Sequence, residues 1–350
     1  MSAAARRAAS SGSKSVASPL RDLASSLGLS ITTVSRALDG YSDVSEATRE
    51  RVRAAAESAA YRPNAAARRL RRGSTDIVTL ILPTEPGHFD EPLYIQMLAP
   101  IGDCLAREGF DLTLIAATPG PDETKMYRRI VEERRADALI VVRTRHHDPR
   151  VNYLAAKDFP FVTLGRTECA KPYAYFDGDG EAGFRLATER LCALGHRRIV
   201  HLAAPSAFTF AGLRSRGYAA AMVAAGLEPN MVEDLASEEG GYRAAKAALS
   251  SAPRATALLC ATDRMAIGAL RAAREMKLEV PRDLSVVGHD NLPATAFSDP
   301  PLSTMELPIA ETGTRLAEMV LARLGGADPR DLSHLRSVEM IDRLSTAPPP

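Results

Sequence analysis

From Asp76 to the end of the chain, short apolar runs alternate with segments of helical periodicity. That alternation narrows the fold to parallel sheets flanked by helices. Parallel strands are covered on both faces and so read as unbroken apolar runs; the stretch 77–82 is one. A predicted helix over about 93–108, a strand at 111–115, a helix at 123–133 and a strand at 138–142 follow, completing a first α/β unit by Phe176. A second series has helices near 184–194, 213–225, 241–250 and 265–276, with strands at 198–202, 257–260 and 284–287. Two stacked lobes are expected. Ligands in such sheets bind beyond the carboxyl ends of the strands, which points to the cleft between the lobes.

The preceding segment follows a different rule. Leu20, Leu23, Ala24 and Leu27 recur at i, i+3, i+4 and i+7, one stripe of a helix. Gly28 permits a tight exit, and Ser30 can cap a second helix whose Val34, Ala37 and Leu38 face the first. Ile31, Thr32, Ser35 and Arg36 are left pointing outward, with no acidic residue among them. Such a face suits a major groove: Arg forks onto guanine, Thr bonds either base edge, Ile touches a thymine methyl, and Thr33 and Ser35 reach phosphates. Ser45 caps a third helix with Glu46 in its first turn, and Val52, Ala55, Ala56 and Ala59 form its buried stripe. The helix stops before Pro63. Asn64 then caps a short arginine-rich segment that Gly73 ends. Isolated helices this short are marginal in water, so it is expected to order only against DNA and a second chain.

Charge supports that division. Residues 1–75 hold 13 Lys and Arg against 6 Asp and Glu, net +7, and the remainder of the chain carries −6. Binding by the basic end should weaken steeply as salt rises. Residues 1–18 read as a flexible tail without the apolar centre of a signal peptide, and no run is long enough to span a membrane, so a cytoplasmic protein is expected. Cys104, Cys169, Cys192 and Cys260 have no metal-ligand spacing and read as unpaired thiols, while His146-His147 reads as a surface pair. Neither a metal nor a cofactor is expected. Residues 178–183 fit GxGxxG, but Asp177, Asp179 and Glu181 would repel a pyrophosphate, so a lobe crossover explains these glycines better than a dinucleotide site. No nucleophile elbow, P-loop or HExxH motif appears, and an enzyme is not expected.

The segment 20–73 resembles the DNA-binding headpiece of the lactose-repressor (LacI/GalR) family of bacterial transcription regulators. The likeness lies in Thr33-Val34-Ser35-Arg36-Ala37-Leu38, in Val44-Ser45-Glu46 with Thr48-Arg49, and in Tyr61-Arg62-Pro63-Asn64. It implies DNA contacts from Ser30, Ile31, Thr32, Thr33, Ser35 and Arg36, then from the hinge residues Asn64, Ala67, Arg69 and Leu70, with Leu70 wedged into the minor groove. The remainder is similar to the same family and to periplasmic sugar-binding proteins, through Leu194-Gly195-His196, Arg214 with Gly217-Tyr218, Asp263-Arg264-Met265, Gly288-His289-Asp290 and Arg343-Leu344-Ser345-Thr346.

The resemblance therefore implies an all-α helix-turn-helix headpiece with a hinge helix, followed by a two-lobed α/β periplasmic-binding-protein-like core. Its divisions are 19–62, 63–74 and 75–350, the N-lobe being about 75–176 with 304–325 and the C-lobe about 177–303 with 326–346. It implies effector contacts from Tyr94, Arg166, Phe210, Arg214, Asp263 and Asp290, with Arg214 and Asp290 an opposed pair for sugar hydroxyls. Phe89, Tyr94, Phe208 and Phe210 can stack on a sugar face, and residues 161–167 are similar to the glucoside-responsive branch of the family. Thr262 stands where many relatives carry Asn, and His289 replaces a common aromatic. The expected protein is a homodimeric repressor of sugar uptake or breakdown genes that binds double-stranded palindromic operator DNA and senses a small sugar. The alternatives are a purine or other non-sugar corepressor in the same kind of regulator, and a sugar-binding transport protein. Ala347-Pro348-Pro349-Pro350 is not followed by leucine heptads, so a dimer rather than a tetramer is expected.

Overall fold

The structure, a computed structural model, describes residues 19–61, 73–84, 92–118 and 120–350. The expected tail 1–18, most of the hinge, and with it Asn64, Ala67, Arg69 and Leu70, lie outside the described residues, as does Phe89. The chain divides into two compact units, 1–74 and 75–350.

In the first unit, helices α1 (Pro19–Leu27), α2 (Ile31–Leu38) and α3 (Glu46–Ser58) enclose a core of Leu23, Ala24, Val34, Ala37, Val44, Val52 and Ala56. The predicted stripes supply all of it but Val44, and one stripe residue, Ala59, takes no part. That residue is exposed because it caps the end of α3 rather than continuing its buried face. Gly28 adopts φ +65°, which closes α1 and lets Leu29 N donate to Ala24 O at 3.0 Å. Ser30 Oγ accepts from Thr33 N at 3.0 Å, and Ser45 Oγ accepts from Thr48 N at 3.3 Å; these are the two expected caps.

The second unit has two six-stranded sheets. One runs β11-β5-β4-β3-β1-β2, all parallel, from β1 (Ile77–Pro83), β2 (Asp111–Ala117), β3 (Ala138–Val141), β4 (Phe161–Leu164), β5 (Ala174–Gly178) and β11 (Ser333–Arg336). The other runs β12-β10-β9-β8-β6-β7, from β6 (Ile199–Ala203), β7 (Met231–Glu233), β8 (Ala257–Cys260), β9 (Ser285–His289), β10 (Ser303–Glu306) and β12 (Glu339–Ile341), with only β12 antiparallel. Helices α4 (Pro92–Arg107), α5 (Pro121–Glu132), α6 (Pro149–Ala156) and α12 (Ile309–Leu324) flank the first sheet. Helices α7 (Gly180–Ala193), α8 (Thr209–Ala224), α9 (Glu238–Ser250) and α10 (Asp263–Glu275) flank the second, and α11 (Pro293–Ala296) is a single turn after β9.

The chain crosses between lobes three times, and two crossings differ from expectation. The strand 303–306 stays in the C-lobe, so the second crossing follows it. Residues 326–336 stay with the N-lobe because β11 adds in parallel to the edge of β5, so the third crossing falls between 336 and 339. Helix α7 also begins four residues before the predicted 184, since Asp179 Oδ1 accepts from Ala182 N at 3.0 Å and caps it. The GxGxxG stretch is thus a crossover running into a helix. Gly183 has Val338 where a Cβ would stand, and at Gly180 a Cβ would meet Arg214 Cγ at 3.2 Å.

Several stretches that carry the family likeness hold the sheet together. His196 Nδ1 meets Thr256 Oγ1 at 3.0 Å and its Nε2 meets Ser285 Oγ at 3.1 Å, joining the ends of β8 and β9. Arg343 donates to Leu302 O at 2.7 Å and to Asn291 Oδ1 at 2.6 Å, and Ser345 Oγ donates to Val286 O at 2.6 Å. Among the described residues no helix is long and apolar enough to cross a membrane, and no cluster of His, Cys, Asp and Glu is placed to hold a metal.

Candidate effector cleft and DNA-facing helix

Between the lobes, at the carboxyl ends of both sheets, lies a cavity of about 100 Å³. Tyr94 of α4, Arg143 and Thr144 after β3, Gly165 after β4 and Asp177 at the end of β5 line it from the N-lobe. Phe210 and Arg214 of α8, Thr262 after β8, and His289 and Asp290 at the end of β9 line it from the C-lobe. Of the six expected effector residues, Tyr94, Phe210, Arg214 and Asp290 meet here.

Arg214 is its centre. One guanidinium nitrogen donates to Ala261 O, and Nη2 stands 3.7 Å from Asp290 Oδ1. The guanidinium lies 4.8 Å over Phe210 and 5.8 Å over Phe184. Its Nε is buried with no hydrogen-bond partner. Burial pulls the Arg214 pKa below its usual value, against the pull of Asp290, Asp177 and Asp263. Asp290 itself takes φ +120°, a conformation side chains rarely adopt. The turn holding it there is fastened from beneath: the Asp263 carboxylate accepts from Leu292 N at 2.7 Å and from Thr304 Oγ1 at 2.6 Å. Asp263 is completely buried and does not line the cavity; the cap of α10 is Thr262, whose Oγ1 accepts from Met265 N at 3.3 Å.

Burial pushes Asp177 up to about 6, although Arg166 and Arg214 pull it down. Burial raises Asp290 as well, opposed by Arg214. His289 Nδ1 lies 2.9 Å from Asp290 Oδ1, and its ring stacks on Phe184 at 5.7 Å. Burial and the nearby Arg214 hold His289 neutral, and its Nε2 has no partner. The cavity is therefore lined by the Arg214 guanidinium, the carboxyl groups of Asp177 and Asp290, and a neutral imidazole, a set that fits hydroxyl groups of a neutral ligand.

Arg166 stands one step outside, with Nε 3.1 Å from Asp177 Oδ2. Phe210 stacks with Phe208, whose ring centroid is 5.8 Å away, and carries the Arg214 guanidinium 4.8 Å from its own. Phe208 in turn supports Arg143 at 4.7 Å. Sequence reasoning missed Arg143, Thr144 and Thr209, which bring the lobes into contact: Thr144 Oγ1 and Thr209 Oγ1 are 2.7 Å apart, and Thr209 N donates to Thr144 O at 3.1 Å. No local pattern marks a threonine that meets a partner 65 positions away.

In the headpiece, Ile31, Thr32 and Arg36 are exposed on one side of α2, with Thr33 and Ser35 half-buried beside them. Ser30 and Thr33 share a hydroxyl contact of 2.8 Å at the helix start. Arg36 is held by Asp43 at 2.6 Å and lies 4.8 Å over Tyr41, so its guanidinium is oriented before any partner arrives.

Residues 19–64 match the bacterial regulatory proteins of the lacI family, and residues 188–346 match the periplasmic binding protein-like domain. The chain is 36% identical over 323 residues to the HTH-type transcriptional regulator RafR of Escherichia coli, covering 89% of this chain and 94% of that protein. Its structure is similar to that of the lac repressor dimer bound to operator and the anti-inducer ONPF, with a TM-score of 0.80, 27% identity, and 94% and 98% of the two chains covered. It is also similar to the CelR–cellobiose complex, with a TM-score of 0.72, 28% identity, and 93% and 99% coverage. With its helix-turn-helix unit, its two-sheet core and these relatives, the chain belongs to the lacI family of bacterial transcriptional regulators.

Proposed function

We propose that this regulator is a homodimeric repressor of genes for sugar uptake or breakdown, released from or tightened on its operator by a saccharide in the inter-lobe cleft. The observation that carries the reading is the Arg214–Asp290 pair in a cavity that also holds Arg143, Asp177 and a neutral His289, a set of donors and acceptors with two cationic and two carboxyl side chains. A relative with cellobiose bound supports a saccharide effector. In this reading Ile31, Thr32 and Arg36 read bases, Ser30, Thr33 and Ser35 hold phosphates, and the hinge with Asn64, Ala67, Arg69 and Leu70 enters the minor groove. The protein acts on chromosomal DNA in the cytoplasm.

Dimerisation has its own support. Edge strand β2 leaves Leu114 45% exposed, and Phe297, at the end of α11, is 88% exposed beside a loop that pairs with Leu344, itself 65% exposed. Apolar side chains this open on both lobes suit burial against a second copy. Phe297→Glu is expected to yield monomers by light scattering and to lower operator affinity without unfolding the core; a variant that remains dimeric removes Phe297 from the interface. The functional reading is tested by fluorescence anisotropy on the promoter nearest the gene, repeated with a panel of sugars and nucleobases. A change in operator affinity with a sugar is expected, and a response to purines with none to sugars would overturn the effector class.

A further inference from the structure

The loop between α2 and α3 is pinned at both ends and turns two of its side chains onto Arg36. At its start Gly40 takes φ +77°, and α2 closes on it with the paired bonds of a glycine-ended helix: Gly40 N donates to Ala37 O at 3.3 Å and Tyr41 N to Arg36 O at 3.0 Å. At its far end Val44 enters the headpiece core, and its N donates to Tyr41 O at 3.3 Å. Between these anchors stand Tyr41 and Asp43. Asp43 meets Arg36 with both carboxylate oxygens, Nε donating to Oδ1 at 3.2 Å and Nη2 standing 2.6 Å from Oδ2. The ring of Tyr41 lies 4.8 Å from the guanidinium carbon and fixes the plane of the group.

We propose that Asp43 is a specificity-determining residue of the headpiece: with Tyr41 it decides which edge of the Arg36 guanidinium meets DNA. This rests on the reading proposed above, in which Arg36 faces base edges. A guanidinium presents one fork through Nε and Nη2 and another through Nη1 and Nη2. Asp43 takes the first. The second is left, and its parallel N–H groups match the O6 and N7 acceptors of guanine. An arginine without such a hold can lay either fork on a phosphate, where it adds affinity and reads no sequence. The charge of Asp43 works against affinity. It is exposed and sits beside a residue that enters the groove, so the phosphates repel it on every duplex alike. Asp43 therefore weakens binding in general while sharpening the choice of one base pair, an opposition of effects that a merely stabilising ion pair would not produce.

Selection of bound duplexes from a randomised pool by the full-length protein supplies an operator, and fluorescence anisotropy on that operator and its single-pair variants makes the test. Asp43→Ala is expected to bind a duplex of unrelated sequence about threefold more tightly. It is also expected to lose about fivefold or more of the preference for guanine at the pair that depends on Arg36, with the other pairs unchanged. Tyr41→Leu should lose about two- to threefold at the same pair. In an Arg36→Ala background, Asp43→Ala should leave every base preference as it was. Full preference retained by Asp43→Ala at the Arg36-dependent pair overturns the role of Asp43 and leaves Arg36 as a base reader. A loss spread evenly over all pairs makes Asp43 a support of the fold and overturns the proposal in the same way. An Arg36→Ala protein weakened equally on every sequence overturns both the proposal and the reading beneath it.

Discussion

Each lobe buries an arginine near the cleft, and the two differ in how much of their hydrogen-bonding capacity is spent. In the N-lobe, Arg150 of α6 donates to Asp148 at 2.7 and 3.0 Å, to Glu123 at 2.6 Å, and to the carbonyls of Arg143 at 2.9 Å and Val142 at 3.2 Å. Burial works against its charge, but Asp148, Tyr127 and Glu123 outweigh it and hold the pKa above its usual value. In the C-lobe, Arg214 keeps Nε unspent, and burial wins. A guanidinium whose donors are all used fixes a backbone, here the loop that carries Arg143 and Thr144 to the cleft. One that lines a cavity with a donor left over is equipped to hold a ligand.

The sharpest test of that contrast is to remove each charge. Arg150→Met deprives buried Asp148 of its ion partner and leaves buried Glu123 with Arg145 at 2.7 Å, and is expected to destabilise the core by about 3–5 kcal/mol in denaturant unfolding. Arg214→Met removes the ion partner of Asp290 and leaves Asp177 with Arg166 at 3.1 Å, and burial already inclines both carboxyls toward protonation, so a cost of no more than about 1 kcal/mol is expected. Its effect belongs to binding: effector affinity should fall about 100-fold as charge-assisted hydrogen bonds are lost. Equal destabilisation by the two variants would break the distinction between scaffold and site.

The same contrast explains what was legible in the chain. Arg214 and Asp290 could be picked out because their neighbours, Gly217-Tyr218 and Gly288-His289, form recognisable patterns, and the lobes because apolar strand runs are local. The headpiece was readable for the same reason, its caps and stripes all falling within a few residues of each other. Arg150, Glu123 and Asp148 were not, since a network joining positions 27 apart leaves no period in the sequence. Asp177 drew notice only as a charge that would repel a pyrophosphate. Its role as a cavity wall depends on Arg166 and on the opposite lobe. The edge strand β11 and the final crossing were missed because parallel addition at a sheet edge is decided by tertiary pairing.

Asp177 sharpens the comparison through pH. Its folded pKa of about 6 lies above its ordinary value of 3.8, so the native unliganded core holds the proton more tightly than the unfolded chain does. Stability from this group is fully present below about pH 4 and is lost as pH rises through 6, a decline of about 3 kcal/mol. Asp177→Asn should flatten that decline and stabilise the unliganded protein at pH 7, with thermal unfolding across pH 4–7 as the measurement. An effector whose hydroxyl donates to the carboxylate should bind more tightly as pH rises from 5 to 7, and the Asn variant should lose that dependence. A stability profile identical in both proteins would mean that Asp177 is as solvated as a surface carboxylate, and therefore no part of an unspent site.

Arg36 lies between the two extremes, 44% exposed yet tied to Asp43 and Tyr41. An exposed pair of this kind adds little to folding, at most about 1 kcal/mol. Arg36→Ala is therefore expected to leave the unfolding transition of the headpiece nearly unchanged. Operator binding should weaken by about 1–3 kcal/mol, with preference relaxed at one base pair, because a bidentate contact to guanine is what distinguishes that pair. Anisotropy against operators varied one base pair at a time measures both quantities. A uniform loss across all sequences would make Arg36 a phosphate contact, with Asp43 steering its charge rather than its fork.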